Sequence, residues 1–253
     1  MKYLCVLFTF VVSISFPSLS TSYNSLNDRQ ERVISNLFEQ LIQKQTNPSL
    51  AIERSVNALL KSYPEQIDIV LKIALEKYPQ EYKQIICGAL RAEPALASDV
   101  ISILMKSNIS TSSDIISIAL HEEPAYAKEI VNIAVDYYPE QLDTIVKVAL
   151  LTEPIMASSV VNNTMETYPE RILDILVIAI TTLPNQVANI VRNTLKLSDD
   201  NSDVISTAVS SSTSEKTREI IATAVLSGMS HESATAAAIA GGAKPVDIVK
   251  INP

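Results

Sequence analysis

Side chains able to do chemistry are scarce in this chain. Its 253 residues hold two histidines, His121 and His231, and two cysteines, Cys5 and Cys87. His121 stands in His121-Glu122-Glu123 and His231 in His231-Glu232, with no second histidine at helical spacing from either. Zinc sites are built from sets of Cys, His and carboxylate ligands that this inventory does not assemble. No Gly-rich phosphate loop, nucleophile elbow or Ser/His/Asp grouping is present. Glu and Asp pairs occur throughout, and surface carboxylates are the simplest reading of them. The sequence therefore assigns no catalytic residue, no cofactor and no metal ligand.

The tyrosines are the better candidates. Tyr63, Tyr78, Tyr138 and Tyr168 each stand immediately before a proline. If the units they begin stack regularly, the four rings line up along one edge. Such a ladder, flanked by Glu, either grips a peptide or a sugar polymer or covers each neighbouring proline and closes its turn. Leu96, Tyr126 and Met156 form a second series, each two places after a proline. They either line a groove or belong to the core.

What must position these residues is a repeat. Proline recurs every fifteen residues at Pro64, Pro79, Pro94, Pro124, Pro139, Pro154, Pro169 and Pro184, with Ile109 filling the one gap. Counting each unit from its proline, apolar residues fall at places four, seven, eight, eleven and twelve: Ile67, Val70, Leu71, Ala74 and Leu75 in the first unit. Those spacings mark one face of a helix. Proline suits the first helical position and turns the preceding residue away from the α region, so it starts one helix and ends the last. Glu65, Glu140 and Glu170 place negative charge where a helix N-terminus favours it. Helices of about twelve residues are roughly 18 Å long and unstable alone, so they must stack.

Place eleven is small in most units (Ala74, Ala89, Ala119, Ala134, Ala149, Thr164, Ala179, Thr194), with Leu104 the exception. A small residue at one fixed place marks a close helix contact. Enlarging Ala149 to Leu or Phe is expected to cost roughly 1–3 kcal/mol.

A thirty-residue period overlies the first. Glu93, Glu123 and Glu153 precede one class of proline, and Tyr78, Tyr138 and Tyr168 the other. Pro64 follows Tyr63 although its register belongs to the Glu class. Two alternating helix types predict two layers: an all-α, αα-hairpin solenoid with a 15-residue unit and about thirty residues per two-helix step. The Ile109 unit, with Asn108 and Ser110-Thr-Ser-Ser113 in place of Tyr-Pro, predicts a looser turn.

The expected domain organisation is an export signal over 1–22, an N-terminal capping helix over 23–47, the repeat over 48–226, and an Ala-rich cap and tail over 227–253. Within the repeat, 64–198 is clean and 199–226 degenerate, with serine replacing proline as a helix cap. The tail from Lys244 to Pro253 is expected to be extended.

The signal rests on Lys2, the apolar run from Tyr3 to Phe16 and the small residues Ser18 to Ser22. At ~1.5 Å per residue that run is short of a ~30 Å hydrocarbon core, and no later stretch predicts a membrane span. After removal of the signal Cys87 is the only cysteine, so no intramolecular disulfide forms. Asn108-Ile-Ser110 and Asn162-Asn-Thr164 match the glycosylation acceptor pattern, which matters only on a eukaryotic secretory route.

Composition agrees with a helical array. The chain is 47% hydrophobic with only four glycines, which disfavours disorder and hairpin-rich β folds. Net charge is −8, or −8 − 1 = −9 without Lys2, and no Lys/Arg stripe is visible along the sequence. Nucleic acid is accordingly not expected as a partner.

The segments Tyr63-Pro-Glu-Gln66, Tyr138-Pro-Glu-Gln141 and Tyr168-Pro-Glu-Arg171, followed by Ile/Val pairs and Ala, resemble a loose group of exported bacterial proteins with tandem Pro-Glu-Gln-Ala-type helical repeats. The resemblance covers roughly residues 48–226. The chain departs from it by carrying Ile, Leu or Val where those proteins place Ala after Glu-Gln. It implies export and a bacterial origin, and no activity.

These readings converge on an exported periplasmic or secreted scaffold that binds another protein or peptide, basic or neutral in character. Self-association into an envelope or surface structure is the alternative. A host-directed factor or an extracellular hydrolase are the remaining readings.

Overall fold

A computed structural model describes residues 20–45 and 47–248. The expected export signal lies almost wholly outside the described residues. The chain is helical throughout the described residues, with no strand among them. The helices are α1 (Ser20–Gln43), α2 (Pro48–Ser62), α3 (Ile67–Lys77), α4 (Tyr82–Ala92), α5 (Ala97–Ser107), α6 (Ser112–Glu122), α7 (Ala127–Tyr137) and α8 (Leu142–Thr152). They continue as α9 (Ala157–Thr167), α10 (Ile172–Thr182), α11 (Val187–Leu197), α12 (Asn201–Ser210), α13 (Thr217–Leu226), α14 (His231–Ala240) and α15 (Pro245–Ile248).

The proline of the repeat does not open the α-helix itself. Each of the eight prolines of the fifteen-residue series begins a three-residue 3-10 turn, as in Pro64–Gln66 or Pro139–Gln141, and the α-helix follows for eleven residues, whereas Pro48 opens α2 directly. One residue then links this unit to the next. Tyr78, at φ −132 and ψ 58, has left the helix, as the clash with the following proline ring requires. Its N–H donates to the Ala74 carbonyl at 2.9 Å, and its own carbonyl accepts from Glu81 N–H at 3.0 Å. The same pair of bonds recurs at Glu123, Tyr138, Glu153 and Tyr168. A single residue so closes both helix ends, and a sharp bend results: 112° between the segments Pro139–Thr152 and Pro154–Thr167.

Alternate helices pack on one another in two layers. The even layer runs α2, α4, α6, α8, α10, α12, α14, and the odd layer α1, α3, α5, α7, α9, α11, α13. The all-α, two-layer solenoid read from the periodicity is the fold observed. Its core is continuous: places seven, eight, eleven and twelve of α8 (Ile145, Val146, Ala149, Leu150) and their equivalents in α10 (Ile175, Leu176, Ala179, Ile180) are all buried. Every place-eleven residue from Ala74 to Thr194 is at most 1% exposed. The two threonines at this place turn their hydroxyls onto the carbonyl four residues back, Thr164 to Val160 at 2.8 Å and Thr194 to Ile190 at 2.9 Å, so neither hydroxyl is stranded.

The looser turn expected at the Ile109 unit is found, and two other local expectations are corrected. The unit at Ile109 has no 3-10 turn. Instead Asn108 ends α5 in the left-handed region (φ 51), and Thr111 Oγ1 caps α6 by accepting from Asp114 N–H at 3.2 Å. At α12 the cap is Asp200, not serine, accepting from Ser202 and Asp203 N–H, while Ser214 merely fills the proline place with no side-chain cap bond. Ser230 does cap α14. Finally, the expected extended tail is helical over Pro245–Ile248, which packs on α13; residues 249–253 lie outside the described residues.

The two ends differ from the interior. At the N-terminal end α1 begins at Ser20, inside the stretch expected as signal, and buries Ile34 and Phe38. Helix α4 approaches α2 so closely at Gly88 that a Cβ there would lie 2.5 Å from the Glu53 carbonyl oxygen.

Candidate binding surfaces

The Tyr residues occupy two different edges. Turns from the odd to the even layer hold Tyr78, Tyr138 and Tyr168, whereas Tyr63 sits at a turn from the even layer to the odd one, on the opposite edge with Glu93, Glu123 and Glu153. The expectation of four rings on one edge therefore fails for Tyr63, whose register, rather than its residue type, decides its position.

The three aligned tyrosines are half-buried against the core, and Tyr138 and Tyr168 spend their polar ends on the neighbouring repeat. Tyr138 Oη donates to the Met105 carbonyl at 3.1 Å and lies 3.2 Å from Asn108 Oδ1, reaching the end of α5. Tyr168 Oη reaches the end of α7, at 3.2 Å from the Asn132 carbonyl and 2.8 Å from Asp136 Oδ1. Burial, with Asp136 adjacent, pushes the Tyr168 phenol above its ordinary pKa, so it stays a donor. Tyr78 meets the Phe38 ring edge-on, 6.0 Å between centroids at 72°. Each ring thus ties one two-helix step to the step before it.

Leu96, Tyr126 and Met156 are likewise half-buried and packed on the core, one step apart along the even-to-odd edge. Tyr63 alone of the seven candidates is classed as exposed, at 42%. It borders an open groove of about 390 Å³ lined by Arg29, Val33, Leu37 and Glu65.

Polar residues that the sequence did not single out form the more regular surfaces. On the odd layer, places nine and ten of successive units carry Asn132, Asn162, Asn163, Arg192 and Asn193, all half-buried between adjacent helices. Asn163 Nδ2 donates to Asn132 Oδ1 at 2.9 Å, bridging α9 and α7. Asn162 Oδ1 is enclosed and has no hydrogen-bond partner among the described residues. Asp99, Glu129, Asp136 and Glu166 are exposed beside this row. The signal for it was present as polar residues at fixed places, but helix places nine and ten also face solvent in any ordinary amphipathic helix.

On the even layer Arg91 bridges three helices. Its Nη1 lies 2.5 Å from Glu53 Oε1 on α2, and its Nε lies 2.6 Å from Glu122 Oε2 on α6. Beside it, burial and the Glu122 carboxylate push the Cys87 thiol up to about 12, leaving it protonated and unreactive at neutral pH. Further along, the same face turns apolar at Val148, Leu151 and Val177, with Leu151 60% exposed. Among the described residues no three His, Cys, Asp or Glu side chains are grouped to hold a metal ion, and no single helix is long and apolar enough to cross a membrane.

The chain matches no family model, no curated protein and no solved structure. The functional reading therefore rests on these surfaces alone.

Proposed function

We propose that this chain is an exported, non-catalytic binding array that captures an extended, cationic segment of a partner protein along its odd layer. The row of half-buried amides at places nine and ten of α7, α9 and α11 (Asn132, Asn162, Asn163 and Asn193) carries this reading. A side-chain amide offers a donor and an acceptor together, the pair an extended backbone needs. Packed helices lie ~8–10 Å apart, matching about three residues of extended chain at ~3.3 Å each, so one ligand can meet successive helices in register. Glu129, Asp136 and Glu166 flank the middle of the row, between Lys106 at one end and Arg192 and Lys196 at the other, and favour Lys or Arg in the part of the ligand that lies there. The apolar Tyr3–Phe16 segment after Lys2, and the resemblance to exported repeat proteins, support the export part of the reading.

Selection of peptides from a random display library tests the proposal. Enriched ligands should be extended and Lys/Arg-bearing, and Asn132→Leu with Asn162→Leu should weaken them at least ~tenfold, on the order of 1.4 kcal/mol. Ligands that bind the double variant undiminished would sink it. A second reading, self-assembly, is favoured by one observation: the exposed apolar residues Leu226, Ile239 and Val246 at the C-terminal end.

A further inference from the structure

The N-terminal end of the array is cationic although the chain as a whole is acidic. Residues 20–63 carry Arg29, Arg32, Lys44, Arg54 and Lys61 against Asp28, Glu31, Glu39 and Glu53, a net of 5 − 4 = +1. With Lys2 adding +1, the remainder from residue 64 onward holds −8 − 2 = −10. Packing separates these charges further. Three of the four carboxylates pair with cations of the next repeat at the surface: Glu31 with Lys72 at 3.0 Å, Glu39 with Lys77 at 2.6 Å, and Glu53 with Arg91 at 2.5 Å. The five cations are all exposed, and none of them forms a salt bridge within the described residues. Val33 (53% exposed) on α1 shares a groove with Arg29 and Glu65, Arg32 shares a cleft with Asp28 and Glu76, and Leu50 (43% exposed) lies one helical turn before Arg54 on α2.

We infer that this end face docks onto an anionic lipid surface. Unpaired cations mixed with exposed aliphatic side chains suit a headgroup layer: the charges stay at the phosphates and the short apolar chains enter the boundary beneath. The acidic body would repel such a surface if it lay along it. End-on contact avoids this, because six further helices stacked at ~8–10 Å carry the array roughly 50–60 Å away, several Debye lengths at ~8–10 Å each. A polyanion such as nucleic acid has no such geometry, since it would run on past the end and meet the acidic flank.

The test uses the full chain in flotation with vesicles of phosphatidylglycerol and phosphatidylcholine, and with phosphatidylcholine alone. Arg29→Glu, Arg54→Glu and Lys61→Glu are combined in one variant, and Lys128→Glu on α7 serves as a control. The expected result is salt-sensitive binding to the anionic vesicles that falls by at least ~tenfold in the triple variant and is unchanged in the control. Because the apolar N-terminal stretch is common to all three proteins, only this difference counts. Unchanged melting of the triple variant by circular dichroism shows that its fold is intact, and unchanged peptide capture keeps this result separate from the odd-layer reading. Equal binding by wild type and triple variant overturns the inference. So do salt-sensitive oligomers without vesicles that the triple variant abolishes, which would make a second copy the partner, and displacement from vesicles by duplex DNA.

Discussion

The N-terminal and C-terminal ends of this array solve the same problem in opposite ways. A stacked repeat leaves an uncovered face at each end. At the N-terminus the covering helix α1 buries Ile34 and Phe38 and turns Arg29, Arg32, Asn36, Gln40 and Gln43 outward, with Val33 the one large aliphatic of α1 left exposed among its described residues, so the cap ends in a mainly polar surface. At the C-terminus α14 buries only alanines (Ala234, Ala237 and Ala238) and leaves Ile239 54% exposed, while α13 leaves Leu226 80% exposed. Among the described residues the four-residue α15 packs on α13 there, with Val246 itself 69% exposed. The contrast teaches that one end is closed by a large apolar anchor under a polar coat, and the other by small residues with the larger ones left outside.

Anchor loss should therefore hurt most at the N-terminal end. Phe38 is 1% exposed and stacks edge-on against Tyr78. Phe38→Ala should cost about 3–5 kcal/mol, and hydrogen exchange should accelerate in α1 and α2 before it does in α8 to α10. Uniform acceleration along the chain would show that the cap is not a separate cooperative element.

Glycine at the tight helix contacts gives an intermediate effect and compares the ends directly. A Cβ at Gly88 would lie 2.5 Å from the Glu53 carbonyl oxygen, and one at Gly241 would lie 2.3 Å from that of Ser206. The clashes are of the same kind, but their surroundings are not. Gly88 is within α4, held between α2 and α6, whereas Gly241 follows the last residue of α14, which has no helix beyond it in the even layer. Gly88→Ala should destabilise by roughly 1–3 kcal/mol, and Gly241→Ala by less, because α14 can shift outward. Equal losses in chemical denaturation would mean that the C-terminal end is held as firmly as the interior.

Much of this architecture was legible in the sequence, and its limits have physical causes. The fifteen-residue proline period carried the unit, the thirty-residue period carried the layers, and the recurrent small place eleven marked buried positions. Tyr63 was misplaced because its residue type argued for one edge and its register for the other; the alternation of layers obeys register. Asn108 defeated the pattern since a left-handed residue with a Thr111 cap stops and restarts a helix without proline. The cationic end was not legible at all. Five cations and four carboxylates in residues 20–63 read as nearly neutral, and only packing shows that Glu31, Glu39 and Glu53 pair with cations of the next repeat. The amide row on the odd layer was missed for a related reason: polar residues at solvent-facing helix places carry no mark of being half-buried between neighbours.

The smallest expected effect on stability is also the most informative about assembly. Leu226 occupies the odd-layer place that holds Lys106, Asp136, Glu166 and Lys196 in earlier units, each of them exposed. A leucine there adds little to its own fold, being 80% exposed. Leu226→Lys restores the polar pattern of that place, so melting should move by no more than about 0.5 kcal/mol in either direction. If the C-terminal end is a self-association surface, sedimentation at rising concentration should show oligomers for the wild type and fewer for the variant. Facing like ends together would bury apolar surface on both sides. Facing the C-terminal end with the N-terminal one would instead set Arg29, Arg32 and Arg54 against the exposed apolar Leu226, Ile239 and Val246, with Glu232 and Asp247 to meet part of that charge. Closed dimers are therefore expected rather than filaments. An increase in mass that continues beyond the dimer, or a variant that associates as the wild type does, would assign the exposed leucine no part in assembly.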